Sequence, residues 1–290
     1  MFDLIKNVCS DCLQNEPMNL HTSFKIGGPA DIFVRPSTAD ELSKICELNI
    51  PITIIGDGTN ILVSDAGIRG VVVSTINMCE IRKIDENRYF VQAGVKLSKL
   101  AEYAYNDGLT GLEFASGIPG TVGGAVYMNA GAFENEVGNF IESVTLFDGS
   151  ISVKNREEMQ FSYRHSVVQD SKACILDCVF SLKQGNKDEI RGKMNELNKI
   201  RREKQPLNQA SAGSTFKRPN GKFAGVLIEN CGLKGYKIGN AAVSDLHAGF
   251  IINIGNATAE DVMCLIKHVQ NEVFSAYGVK LEPEVRFMGF

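Results

Sequence analysis

Residues 117–133 read GIPGTVGGAVYMNAGAF, a run in which eight of 17 residues are glycine or alanine. Turns of this composition leave backbone amides facing a concave space. Because glycine lacks a Cβ, a phosphate or a flat ring can approach the main chain. A second such segment, Gly56-Asp57-Gly58-Thr59-Asn60, follows the apolar run 52–55. A pyrophosphate fits either. Neither matches GxGxxG, because Ile61 stands where the last glycine belongs, and the chain has no GxxxxGK followed by Ser or Thr. The usual nucleotide folds are therefore excluded by pattern. Both segments also read as tight loops without a ligand, and the small residues of 125–132 also suit close helix packing.

Outward from these segments, 37–180 reads as short strands separated by turns. Runs 52–55, 71–74, 89–93, 144–147 and 174–182 are rich in Val, Ile and aromatic residues. One helix is predicted among them, over 97–107, with Leu97, Leu100, Ala101 and Ala104 on one face and Gly108 as its stop. Strands with so few helices indicate an α+β fold rather than regular strand–helix alternation. A charged amphipathic helix is predicted over 188–205, burying Ile190, Met194, Leu197 and Ile200. Another is predicted from the capping pattern Thr258-Ala259-Glu260-Asp261 to Gly278, and a strand over 279–287 in which Val279, Leu281, Val285 and Phe287 alternate with charge.

The 290 residues suffice for about two domains, and 44% hydrophobic with 22% charged residues excludes long disorder and coiled coil. Thirty basic against 34 acidic side chains, a net of −4, gives no footprint for nucleic acid or an anionic membrane. No window is apolar enough to span a membrane, and the N-terminus lacks a signal-peptide core, so a cytoplasmic protein is expected. The cysteines at 9, 12, 46, 79, 174, 178, 231 and 264 are too sparse for a disulfide scaffold. They are expected to be reduced. Cys9 and Cys12 have no second pair or nearby histidine, and no metal is expected.

Seven runs together resemble one family. TSFKIGGPAD (22–31), IGDGTNILVSD (55–65), GIPGTVGGAVYMNAGAF (117–133), FSYRHS (161–166), AGSTFKRP (212–219), NAAVSDLHAGFIIN (240–253) and LEPEVRF (281–287) are similar, in order, to the UDP-N-acetylenolpyruvoylglucosamine reductases, the MurB family. The resemblance implies a flavoenzyme of peptidoglycan precursor synthesis. Such an enzyme uses FAD, with NADPH as co-substrate, to reduce UDP-N-acetylglucosamine enolpyruvate to UDP-N-acetylmuramate. It implies an N-terminal segment over 1–20, then an FAD-binding domain of the vanillyl-alcohol-oxidase (PCMH) type, with two α+β subdomains, over 21–185. A C-terminal α+β substrate domain follows over 186–290. By the same resemblance FAD is held by Gly56, Gly58, Thr59, Asn60, Gly117, Pro119, Gly120, Thr121, Gly123, Gly124, Ala125, Asn129 and Gly131.

Three catalytic positions map one by one: Arg164 in the YR string, Ser214 in GSxF and Glu284 in EVR. The family reaction sends hydride from reduced flavin to the enolpyruvyl methylene. Arg164 would stabilise the charge that builds on the adjacent carbon and carboxylate, and Ser214 would protonate that carbon, with Lys217 as a polarising neighbour. Glu284 would either hydrogen-bond the enolate as a neutral acid or, ionised, orient Arg164. Read without the resemblance, Arg164 is a surface ion-pair residue, Ser214 a turn residue and Glu284 part of a solvated strand face. His165 reads as structural.

Tyr163, Lys217, Asn240, Ser244 and His247 are the expected substrate contacts. Arg218, Thr59 and Leu246 depart from the family's common Asn, Ser and Lys, and the first and third bear on diphosphate recognition. Only 49 residues separate Arg164 from Ser214 and six follow Glu284, which resembles the family's shorter form. The expected partners are small molecules, the expected state a monomer. Two other readings of the same residues are a flavin oxidase of this fold and an inactive UDP-sugar- or flavin-binding regulator; the retained Arg164, Ser214 and Glu284 argue against the latter.

Overall fold

A computed structural model describes residues 1–48, 50–219 and 221–290, all but Asn49 and Asn220. Tyr89, Val91, Val144, Leu146, Cys178 and Phe180 are buried on neighbouring strands of a five-stranded antiparallel sheet. Its order is Ile151–Asn155, Ile141–Phe147, Cys174–Ser181, Arg88–Gln92 and Ile81–Lys83. The helix Leu97–Asn106 packs Leu97, Leu100, Ala101 and Ala104 into the same core. Each leucine so buried contributes roughly 1.5–3 kcal/mol. Gly108 follows at φ +71°, a left-handed stop that glycine accepts without steric cost.

A second core gathers Ile5, Ile32, Val34, Leu42, Ile45, Val71 and Val73. Here Ile52–Ile55 pairs in parallel with Ile68–Ser74, Ile55 opposite Ser74. The helix Ala39–Cys46, absent from the sequence reading, is capped by the Thr38 hydroxyl, which accepts the Glu41 N–H. These cores belong to one compact unit made of Met1–Leu13, Ile32–Asp57 and Val71–Arg201.

The other unit comprises Gln14–Asp31, Gly58–Gly70 and Arg202–Phe290. Its sheet orders Ala210–Ser214, Phe250–Asn253, Ala241–Val243 and Lys237–Ile238, all antiparallel. The helices Ala224–Asn230 and Ala259–Tyr277 pack in the same core, with Phe24, Ile26 and Leu62 from the earlier segments. The expected capping box is formed: Thr258 accepts from Asp261 N–H, and the Asp261 carboxylate accepts from Thr258 N–H. Asp65 adds a second cap, taking the N–H groups of Ala259 at 2.9 Å and Glu260 at 3.2 Å. The sequence reading drew linear boundaries at 20/21 and 185/186. The compact units are interleaved instead, and the helix Lys187–Lys204 belongs to the first unit up to Arg201.

The terminal strand is much shorter than the alternation suggests. Only Arg286–Met288 forms a strand, parallel to Ile61–Val63. Pro283 has no N–H for a ladder, and it joins Phe216 in an isolated bridge. Leu281 and Val285 are buried, whereas Phe287 is 37% exposed. Among the described residues no helix is long and apolar enough to cross a membrane, and no His, Cys, Asp or Glu cluster is arranged to hold a metal. The eight cysteines are free.

Candidate active site

In the first unit, the two glycine-rich segments meet. The Ser74 hydroxyl donates to the Gly56 carbonyl at 3.1 Å and the Thr75 hydroxyl to the Ile55 carbonyl at 3.5 Å, fixing the exit from strand Ile52–Ile55. Gly56 lies directly against Thr121: a Cβ added there would stand 2.3 Å from Thr121 Oγ1. Thr121 in turn caps the short helix Val122–Tyr127, its hydroxyl facing Gly124 N–H at 3.5 Å. Gly123 N–H donates to the Ala93 carbonyl at 2.8 Å, and a Cβ on Gly123 would meet Ala93 Cβ at 2.8 Å. Lys96 pairs with Thr121 through an isolated bridge and places its ammonium on the Asp57 carboxylate.

Gly117 is backed by the helix Lys187–Lys204. A Cβ on it would come within 2.3 Å of Asn198 Oδ1 and 3.0 Å of Arg201 Cδ. Burial pushes the Arg201 guanidinium down from the usual arginine range, and its Cζ lies 5.9 Å from the centre of the Phe133 ring. Lys96, Asn198 and Arg201 were not singled out from sequence. None sits in a motif, and only the fold brings them to these loops.

Arg164 occupies the tip of a tight turn at φ +57°. Its Nη2 donates to the Gly131 carbonyl at 3.0 Å, and its guanidinium lies 5.0 Å from the ring centre of Tyr163, an exposed residue. Asn129 is fully buried. Its amide donates to the Ser162 carbonyl at 2.9 Å and accepts Gly138 N–H at 3.0 Å, so this side chain is engaged within the protein. His165 Nε2 lies 3.1 Å from the Asp170 carboxylate.

In the second unit, Ser214 and Glu284 are on adjoining segments. Gly213, at φ +76° with open space around its Cα, forms a bulge that leaves Ser214 exposed. One residue on, Thr215 is buried and accepts Glu284 N–H on its carbonyl at 2.8 Å. The Glu284 carbonyl accepts from the Asn60 side-chain amide at 3.2 Å, and the Asn60 carbonyl accepts Arg286 N–H at 3.0 Å. The Glu284 backbone is thus held on both sides.

The Lys217 ammonium pairs with Glu282 at 2.5 Å. The buried Ser244 hydroxyl accepts the N–H groups of Leu246 and His247, closing a turn. His247 Nδ1 accepts Gly249 N–H at 3.1 Å, and burial pushes the imidazole below its usual range. Asn240 is exposed, with its N–H on the Asp261 carboxylate.

Family models match both parts of the chain: residues 30–151 match an FAD binding domain, and residues 205–288 match the UDP-N-acetylenolpyruvoylglucosamine reductase C-terminal domain. The reductase of Caldanaerobacter subterraneus subsp. tengcongensis is 50% identical over 281 residues, covering 95% of this chain and 93% of that protein. The chain belongs to the MurB family. The Pediococcus pentosaceus reductase is 46% identical over 283 residues, 96% of this chain and 94% of that protein. The crystal structure of the Thermus caldophilus MurB superposes with a TM-score of 0.83 at 35% identity, covering 96% of this chain and 98% of that one. MurB proteins are oxidoreductases, and the FAD-binding domain together with the reductase C-terminal domain makes this an α+β flavoprotein of that class.

The geometry fits the cofactor. Gly56, Gly117 and Gly123 are packed where side chains would collide with protein. Gly124, by contrast, is exposed, and only Thr121 Oγ1, at 3.6 Å, would lie near an added Cβ. This leaves an open backbone flank on the helix Val122–Tyr127 where a planar or anionic group can approach.

Proposed function

We propose that this chain reduces UDP-N-acetylglucosamine enolpyruvate to UDP-N-acetylmuramate, with NADPH as reductant. FAD would be held by Gly56 and the Gly117–Gly131 segment of the first unit and, when bound, would supply the hydride. Arg164 donates hydrogen bonds to the enolate that forms on the substrate's carboxylate-bearing carbon. Such a preorganised donor is worth about 3–4 kcal/mol of barrier. Ser214 gives its hydroxyl proton to that carbon, and Glu284 acts beside it.

The observation that supports this most directly is the pinning of Glu284 next to the Ser214 segment, through Thr215 on one side and Asn60 on the other. It places an exposed hydroxyl and a carboxyl on neighbouring, fixed stretches of backbone. Lys217 is engaged by Glu282, so the transfer would be driven by the carbanion's own basicity, or helped by a hydrogen bond that a protonated Glu284 donates to the Ser214 oxygen. Tyr163, Asn240 and His247 remain the proposed substrate contacts.

The test is anaerobic. NADPH should bleach the flavin, and UDP-N-acetylglucosamine enolpyruvate should restore the colour without oxygen. Recovery only on admitting air would make the protein an oxidase, and binding without bleaching would make it a regulator. Ser214→Ala should leave bleaching within about twofold while slowing substrate-dependent recovery at least ~100-fold. Equal loss of both half-reactions would remove Ser214 from the proton-transfer role.

A further inference from the structure

Arg164 sits on a turn whose conformation is unfavourable for its residue type, so something must hold it there. Ser162 and His165 close the turn by exchanging backbone hydrogen bonds at 3.1 and 3.0 Å, leaving Tyr163 and Arg164 at the tip, the latter left-handed. Gln169 reaches back beneath it. Its side-chain nitrogen donates to the Arg164 carbonyl at 3.0 Å and to the Tyr127 carbonyl at 2.8 Å. A primary amide has two hydrogens on one nitrogen, and both find acceptors here. Tyr127 is the last residue of the short helix that Thr121 caps, two residues before Asn129. Asn129 holds the other limb of the turn through the Ser162 carbonyl, and Gly131 receives the guanidinium itself. The turn is therefore tied at its start and its tip to one stretch of the glycine-rich segment.

We propose that Gln169 is a positioning residue for Arg164: it clamps the Arg164 main chain to the C-terminal end of the flavin-segment helix, so that the guanidinium is aimed before substrate arrives. This rests on the assignment of Arg164 to enolate stabilisation. A carboxylate or an apolar side chain of the same length has no hydrogen to give to either carbonyl, so the role requires an amide. Ser166 provides an internal comparison. Its buried hydroxyl donates to the same Tyr127 carbonyl at 2.8 Å. Its carbonyl accepts the Gln169 N–H at 3.0 Å, and its hydroxyl bond runs to Tyr127 and not to Arg164.

The experiment is a double-mutant cycle on the FAD-loaded enzyme, following the two half-reactions separately. Gln169→Met should leave NADPH bleaching within about twofold and slow enolpyruvyl-dependent recovery by about 10- to 100-fold, the size of effect that a displaced catalytic group produces. In an Arg164→Ala background the same substitution should have no further effect. Ser166→Ala should leave both half-reactions within about twofold, and hydrogen exchange of the Ser162 and His165 amides should quicken in Gln169→Met, a readout independent of turnover.

If Gln169→Met slows recovery equally with and without Arg164, the clamp does not act through Arg164 and the proposal falls, while the role of Arg164 stands. If Arg164→Ala itself leaves recovery intact, the functional assignment of Arg164 falls and takes the clamp with it. Should Gln169→Met lose flavin, Gln169→Asn, which keeps the amide but cannot span both carbonyls, is read by the same criteria.

Discussion

Replacing Gly56 by alanine tests whether the glycine at the meeting of the two flavin segments is demanded by the protein or by the ligand. The added Cβ would stand 2.3 Å from Thr121 Oγ1, well inside contact distance, while Thr121 Cβ would be 3.5 Å away and Cγ2 3.7 Å away, both ordinary contacts. The collision is thus with one atom. Thr121 cannot swing that atom away freely, because it is 2% exposed, β-branched and turned toward Gly124 N–H as a helix cap. Overpacking of this kind costs about 1–3 kcal/mol. At 2–4 °C per kcal/mol, a cost near 2 kcal/mol lowers the unfolding midpoint by about 4–8 °C.

Thr121→Ala removes the clashing oxygen at the expense of a long, weak cap, a loss of about 1 kcal/mol or less. The double variant should therefore be less destabilised than the sum of the two, with a coupling of about 1–2 kcal/mol. Thermal unfolding of apoprotein and flavin-loaded protein for all four members of the cycle measures this. The loss should appear in the apoprotein too, since the collision is within the polypeptide. A Gly56→Ala apoprotein as stable as wild type, or strict additivity with Thr121→Ala, would refute the packing argument and leave ligand approach as the reason for glycine.

Asp65→Ala should destabilise the protein by about 1–2 kcal/mol in urea unfolding, because the first-turn N–H groups of Ala259 and Glu260 lose their acceptor, while Asp65→Asn should lose less. Asp177 has its carboxyl pushed above the ordinary range, chiefly by burial, so its protonated form is favoured in the folded state. Its stabilising contribution is complete below the unfolded value of about 3.9 and is lost as pH rises through the folded value. Asp177→Asn, which keeps an acceptor for the Thr145 hydroxyl at 2.6 Å, should then raise the melting temperature at pH 8 and give no gain at pH 3.5. An equal gain at both would mean that ionisation is not the cause.

The strands at 52–55, 144–147 and 174–182, the helix stopped by Gly108 and the capping box at Thr258 were legible because each has a local cause: alternation, an apolar stripe, a glycine stop or a reciprocal cap. The terminal strand misled because its alternation is real but Pro283 interrupts the hydrogen bonding, and only side-chain pattern is visible in a sequence. Glu284 is accordingly fixed by Thr215 and Asn60, partners 69 and 224 positions away, rather than by a strand face. The glycine segments were recognisable one at a time. That Gly56 touches Thr121, and that Asn198 and Arg201 back Gly117, depends on contacts across tens of residues that no spacing rule encodes. Gln169 lies outside every motif, and its role appears only once both carbonyls it bridges are seen.

The interleaving of the two units limits how this protein can be dissected. The chain passes from one unit to the other after residues 13, 31, 57, 70 and 201. A fragment starting at Arg202 contains the whole span matched by the C-terminal family model, yet it lacks Phe24, Ile26 and Leu62, which are buried in that unit's core. Cloning by the limits of the sequence match would strip a foldable body of part of its own filling. A chimera that exchanges this unit with a relative's must transplant three separate stretches together.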